Sequence, residues 1–283
     1  MKKMLIGVGI AALVVSGLVG YLNYKARRLP ENRPQAYLAK APEARNRGVV
    51  VCAGDSITHA AVSSNYVDIL SGKDRMKDLT FVNAGINSEL AYNLLQRVDE
   101  IVACAPSFIT ILIGTNDANA TLLPSNEARY IKSMNLPRRP DREWYRANLR
   151  ELCVKLQART KARIALFSLP PIGEQRDDTA YLRAREYSQV IRETATELKL
   201  EYLPLNERID ELLRGRGPSR APYYADNEML MYKAIIMHYI MGSSWDRIAD
   251  SSGFVFVTDF LHLSGRGASI AADLAEWFIS QKR

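Results

Sequence analysis

The chain has 283 residues, 47% hydrophobic and 24% charged, enough to bury one large core and unlike a disordered or repeat-array protein. Its formal net charge of +7 gathers at one end, where Lys2, Lys3, Lys25, Arg27 and Arg28 stand within the first 28 residues without an acid, so the nearly neutral remainder carries no electrostatic footprint for nucleic acid. Cys52, Cys104 and Cys153 show neither paired nor metal-ligand spacing and read as small buried hydrophobes.

From Met4 to Leu22 the sequence runs 19 residues without a charge, close to the ~20 that a helix needs to cross a bilayer. Residues 1–28 are therefore expected to form a signal-anchor, a single N-terminal transmembrane helix. A signal peptide cleaved near Val15-Ser16-Gly17 is the alternative. The flanking charges are nearly balanced and leave orientation open; the body of the protein is expected outside the cytoplasm, held at the membrane. Residues 29–46, with Pro30, Pro34 and Pro42, read as a semi-extended linker, and residues 47–283 as the folded domain.

From Gly48 onward, short apolar runs alternate with helical patterns. Gly48–Ala53, Leu79–Asn83, Phe108–Ile113, Arg163–Ser168 and Leu200–Leu205 are apolar nearly throughout, as strands covered on both faces must be. Helical periodicity covers Asn65–Ser71, Ser88–Cys104, Arg142–Thr160, Asp178–Leu198 and a last helix after Ser264. Alternation of this kind predicts an α/β fold with a parallel sheet and helices on both sides. In such sheets functional groups collect where strands end.

Four segments at such ends carry chemistry. The first strand runs into Gly54-Asp55-Ser56, where Ser56 reads either as a nucleophile or as a helix N-cap. The second runs into Asn83-Ala84-Gly85, whose glycine allows close backbone approach and a free N–H. The third meets Gly114-Thr115-Asn116-Asp117, where Asn116 offers an amide donor of the kind that holds an oxyanion, and Asp117 a helix cap. Near the C-terminus, Phe254–Val257 reads as a further strand leading to Asp259-Phe260-Leu261-His262, an acid placed to orient an imidazole.

With these four blocks in this order, the chain resembles the SGNH (GDSL-type) hydrolases from Val49 to Trp277. The resemblance implies a three-layer α/β/α, flavodoxin-like fold and ester hydrolysis with no metal and no organic cofactor. It implies a triad of Ser56, Asp259 and His262, and an oxyanion hole formed by the Ser56 N–H, the Gly85 N–H and the Asn116 side chain. Small-molecule, lipid or glycan esters are the expected substrates. An O-acyltransferase acting on surface polysaccharide would use the same residues, and a catalytically dead binding module is the third reading.

His59 is expected to be exposed at a helix start, and His238 to be packed or lid-lining. Residues 118–141 read as irregular, and a long insert, about 206–250, precedes the Asp259 block. Within it Met229–Met241 is apolar at almost every position yet too short to cross a bilayer. It reads either as a buried helix or as a methionine-rich cover over the site, suited to flexible acyl chains.

Overall fold

A computed structural model describes residues 2–40, 48–225 and 228–281, with side chains described from Leu13 onward except at Val14. Five strands form one sheet: β1 (Gly48–Gly54), β2 (Leu79–Gly85), β3 (Phe108–Leu112), β4 (Arg163–Phe167) and β5 (Glu201–Leu203). Every neighbouring pair is parallel, in the order β2-β1-β3-β4-β5. That is the flavodoxin-like order, whose switch point lies between β1 and β3.

The helices in chain order begin with α1 (Lys2–Arg27), α2 (Pro34–Leu38), α3 (Ser56–His59), α4 (Tyr66–Ser71), α5 (Ala91–Gln96) and α6 (Val98–Ala103). Then come α7 (Thr115–Ala120), α8 (Pro124–Ser133), α9 (Arg142–Arg159) and α10 (Thr179–Leu198). The last four are α11 (Leu205–Arg214), α12 (Met229–Tyr239), α13 (Trp245–Ser251) and α14 (Gly265–Ser280).

Alternation along β1 builds both cores. Val49, Val51 and Ala53 face a layer in which α5, α6, α9 and α10 bury Leu94, Ile101, Leu152 and Val190. Val50 and Cys52 face the other layer, in which α4, α11 and α14 bury Tyr66, Ile209 and Phe278. The result is the expected three-layer α/β/α arrangement. All three cysteines are free and buried, and burial pushes the Cys52 and Cys153 thiols up to about 12.

Several expectations change. The Ser88–Cys104 periodicity divides into α5 and α6 at Arg97, whose backbone leaves helical geometry (φ −114°, ψ 22°). Residues 118–141 are not simply irregular, because they hold the end of α7 and all of α8. The expected insert overlaps the core: α11 buries Leu205, Ile209 and Leu213 against the sheet. Phe254–Val257 is not a strand; its one ladder contact is an isolated antiparallel bridge from Val257 to Leu263. Residues 29–40 do not behave as a spacer, since α2 puts Tyr37 into the first core; the rest of that segment lies outside the described residues.

Among the described residues, no helix is long and apolar enough to cross a membrane. Most of the Met4–Leu22 run has no described side chains. The remainder of α1 is exposed and apolar at Leu18, Val19, Tyr21 and Tyr24.

Candidate active site

β1 stops where Asp55 turns the chain, its Oδ1 accepting the Ile57 amide at 2.9 Å and so capping α3. Ser56 is the first residue of that helix and is 8% exposed. Burial pushes the Asp55 carboxyl up to about 7, against the Ile57 amide and the charge of His262.

The loop between α13 and α14 brings His262 across the same sheet edge. Its Nε2 lies 3.0 Å from Ser56 Oγ, and its Nδ1 lies 2.8 Å from Asp259 Oδ2. An ionised carboxylate only accepts, so Nδ1 carries the proton, and Nε2 is left to accept from the serine hydroxyl. Asp259 Oδ1 accepts the amides of Leu261 (2.7 Å) and His262 (2.8 Å), which fixes the carboxylate and the backbone together. Burial opposes charge on both side chains. Their mutual attraction and hydrogen bonding outweigh it, holding Asp259 below and His262 above the ordinary values of 3.8 and 6.5.

With no strand to hold it, this loop takes its shape from Glu174, just after β4 and 1% exposed. Its Oε1 accepts three consecutive amides, from Val255 (3.0 Å), Phe256 (2.6 Å) and Val257 (3.0 Å). Beside it the Gly173 amide donates to the Phe260 carbonyl at 2.8 Å. Sequence reasoning missed Glu174, because its only signal was a lone acid after a Pro-Pro-Ile-Gly turn.

The donors are arranged less simply than expected. Asn116 lines the pocket, with Nδ2 donating to the Glu89 carbonyl (2.9 Å) and Oδ1 accepting from Tyr130 (2.7 Å). Behind it runs a directional chain. Asn126 donates to Tyr224, Tyr224 to Asn119 (2.6 Å), and Asn119 to Tyr130 (3.1 Å). Asn116 is thus held on both sides with one N–H of its amide left over. The Glu89 backbone is itself anchored, because the Glu89 carboxylate binds Arg97, which also donates to the Ala84 carbonyl at 2.7 Å. Asp117 caps a neighbouring helix rather than its own, accepting the Ala91 amide at 3.1 Å.

Gly85 does not reach the pocket. Its N–H donates to Asn83 Oδ1 at 3.0 Å, so the expectation of a free Gly85 donor is corrected. What requires glycine there is packing, since a Cβ would lie 2.1 Å from the His59 nitrogen. Ile86, Asn87 and Ser88 of this loop line the pocket, and Ser88 stands in left-handed backbone geometry (φ 65°) with no hydrogen bond from its N–H among the described residues. His59 is also corrected: it is 5% exposed, not on the surface. His238 is packed, stacking on Trp245 with ring centroids 4.0 Å apart.

Ser56, Ser88, Asn116, Asp259 and His262 all open on one cavity of about 880 Å³. Among the described residues, no cluster of His, Cys, Asp or Glu side chains is arranged to hold a metal ion. The geometry offers a hydroxyl with an oriented base, and amide donors beside it.

Comparison with curated proteins returns no match. Solved structures of low identity share the fold. The acetylxylan esterase Axe2 from Geobacillus stearothermophilus is 18% identical, with a TM-score of 0.57 over 83% of this chain and 95% of that one. An acetyl xylan esterase, AlAXEase, is 17% identical, with a TM-score of 0.55 over 82% of this chain and 100% of its own. A lipase/acylhydrolase from Enterococcus faecalis is 19% identical, with a TM-score of 0.54 over 82% and 95%. The GDSL-like Lipase/Acylhydrolase family matches residues 52–270, most of the chain and all of the site just described. The chain belongs to that family and is an ester-hydrolysing serine hydrolase.

Proposed function

We propose that Ser56 is the nucleophile, His262 the general base and Asp259 the residue that orients and stabilises the imidazolium. The observation that carries this is the Oγ–Nε2–Nδ1–Oδ2 chain, 3.0 and 2.8 Å long in its two links, opening on the cavity. Ser56 attacks an ester carbonyl as His262 takes the hydroxyl proton, and the same proton passes to the departing alkoxide. Water, deprotonated by His262, then releases the acyl group and restores the serine. The developing oxyanion is held by the Ser56 N–H, the spare N–H of Asn116, and the Ser88 N–H in the place first expected of Gly85. The test is a panel of p-nitrophenyl esters on wild type and Ser56→Ala. Turnover and fluorophosphonate labelling should vanish in the variant; labelling that persists there would put the nucleophile elsewhere.

We further propose that α1 holds the domain at a membrane, a reading supported by the uncharged Met4–Leu22 run and the basic residues on either side of it. Full-length protein should then remain with membranes through alkaline carbonate extraction. Release into the supernatant would reject the anchor.

A further inference from the structure

The last turn of a helix leaves carbonyls without intrahelical donors, and on a free-standing anchor they bind water. In α1 one of them, the Ala26 carbonyl, and the Arg28 carbonyl just past the helix are bound by the active-site loops. Asn87 Nδ2 donates to the Ala26 carbonyl at 2.8 Å, and His59 Nε2 donates to the Arg28 carbonyl at 2.8 Å. His59 Nδ1 meets Asn87 Oδ1 at 2.5 Å, so the two side chains form one clamp. His59 ends α3, the helix that Ser56 begins, and Asn87 adjoins Ser88.

The far end of α12 closes the same corner. Tyr239 donates to the Ala61 carbonyl at 2.5 Å, and Lys25 lies over the Tyr239 ring, 5.1 Å from its centroid. Between these pins, Val19 and Leu22 of α1 line the cavity together with Ile86 and with Met231, Ile235 and Ile236 of α12. Val19 and Ile236 are 51% and 45% exposed, an arrangement that leaves apolar surface bare on both walls of an occupiable cleft. Of the two readings of Met229–Met241, the buried helix fails for the same reason: only Ala234 and Ile235 are buried along α12.

We propose that the C-terminal end of α1, clamped by His59 and Asn87, is a wall of the substrate cleft and sets a preference for esters of long apolar acyl chains. This rests on the hydrolase reading above and adds a specificity role for a segment that otherwise reads as a tether. The acyl chain would lie between Leu22 and α12, with its carbonyl at Ser56. Each methylene buried there is worth roughly fourfold in binding.

The test uses the full-length chain in detergent micelles, with p-nitrophenyl dodecanoate and p-nitrophenyl acetate as probes. Leu22→Asn alters the wall, while Asn87→Asp and His59→Gln each break the clamp by a different route. The ratio of kcat/KM for dodecanoate to that for acetate should fall at least tenfold in all three. Leu182→Asn, which exchanges an exposed apolar residue of α10 outside the cavity, should keep the wild-type ratio. Fluorophosphonate labelling of Ser56 identifies variants whose site is intact. A wild-type ratio in labelled Leu22→Asn and Asn87→Asp overturns the wall alone. Absence of Ser56-dependent turnover of either ester by wild type overturns the hydrolase reading, and the wall with it.

Discussion

Ser56 and His262 stand 206 positions apart in the chain, and their side chains meet at 3.0 Å. In the proposed mechanism the contact serves catalysis only while Nε2 is unprotonated, and the charge of Asp259 holds His262 above its ordinary 6.5. Activity should therefore fall as pH drops through a value above 6.5. In Asp259→Asn burial acts on His262 without its counter-ion, so the acid limb of the kcat/KM profile should move to lower pH. The rate itself should fall by on the order of 10³–10⁴. Stability has a matching window. The Asp259 contribution is lost as pH falls below about 3.8, and the His262 contribution as pH rises through its raised value. The melting-temperature difference between wild type and variant should be largest between those limits.

Tyr130→Phe removes the hydroxyl that fixes Asn116 Oδ1, while the Glu89 carbonyl still holds the amide from the other side. The amide should keep its place but lose its fixed tilt. We expect kcat to fall about tenfold with KM nearly unchanged, less than the ~10²–10³ for losing an oxyanion donor outright. Asn116→Ala should show that larger loss. Steady-state kinetics on one activated ester distinguishes the two.

Gly85 and Ser88 should respond in opposite ways to small changes. Gly85→Ala forces a Cβ into the His59 backbone and should fold poorly or melt far below wild type. Ser88→Gly relieves a left-handed conformation that costs a non-glycine residue roughly 1–2 kcal/mol and keeps the N–H. That variant should be at least as stable as wild type and retain its activity. Thermal melting and turnover of the purified variants decide both points.

Glu174→Ala would leave the Val255, Phe256 and Val257 amides without an acceptor, the two buried ones, Phe256 and Val257, each worth roughly 1–3 kcal/mol. We expect a loss of several kcal/mol and no activity. Glu174→Gln keeps one acceptor oxygen and should recover part of both. If Glu174→Ala melts like wild type, the loop is held by something other than this carboxylate.

Much of the fold was legible in the residues before any coordinates. The five parallel strands are short β-branched runs whose two faces are both buried, and such strands declare themselves by being apolar throughout. That Ser56, Asn116, Asp259 and His262 would meet at one edge of the sheet was legible too, because each sits where an apolar run gives way to small polar residues. Beyond those signals, local pattern is silent. Phe254–Val257 has the composition of a strand, yet its amides bind a side chain, because Glu174 reaches them before a neighbouring strand does. Gly85 looked like a donor, but its N–H is taken by Asn83 two residues away, a contact set by the backbone turn and not by composition. Ser88 carries no glycine signature, and its left-handed geometry is imposed by the loop around it. His59, Asn87 and the end of α1 lie in separate segments, and only packing brings them together. Periodic burial belongs to the sequence, because it repeats at a fixed spacing. Single hydrogen bonds between distant residues belong to the tertiary structure, because no spacing encodes them.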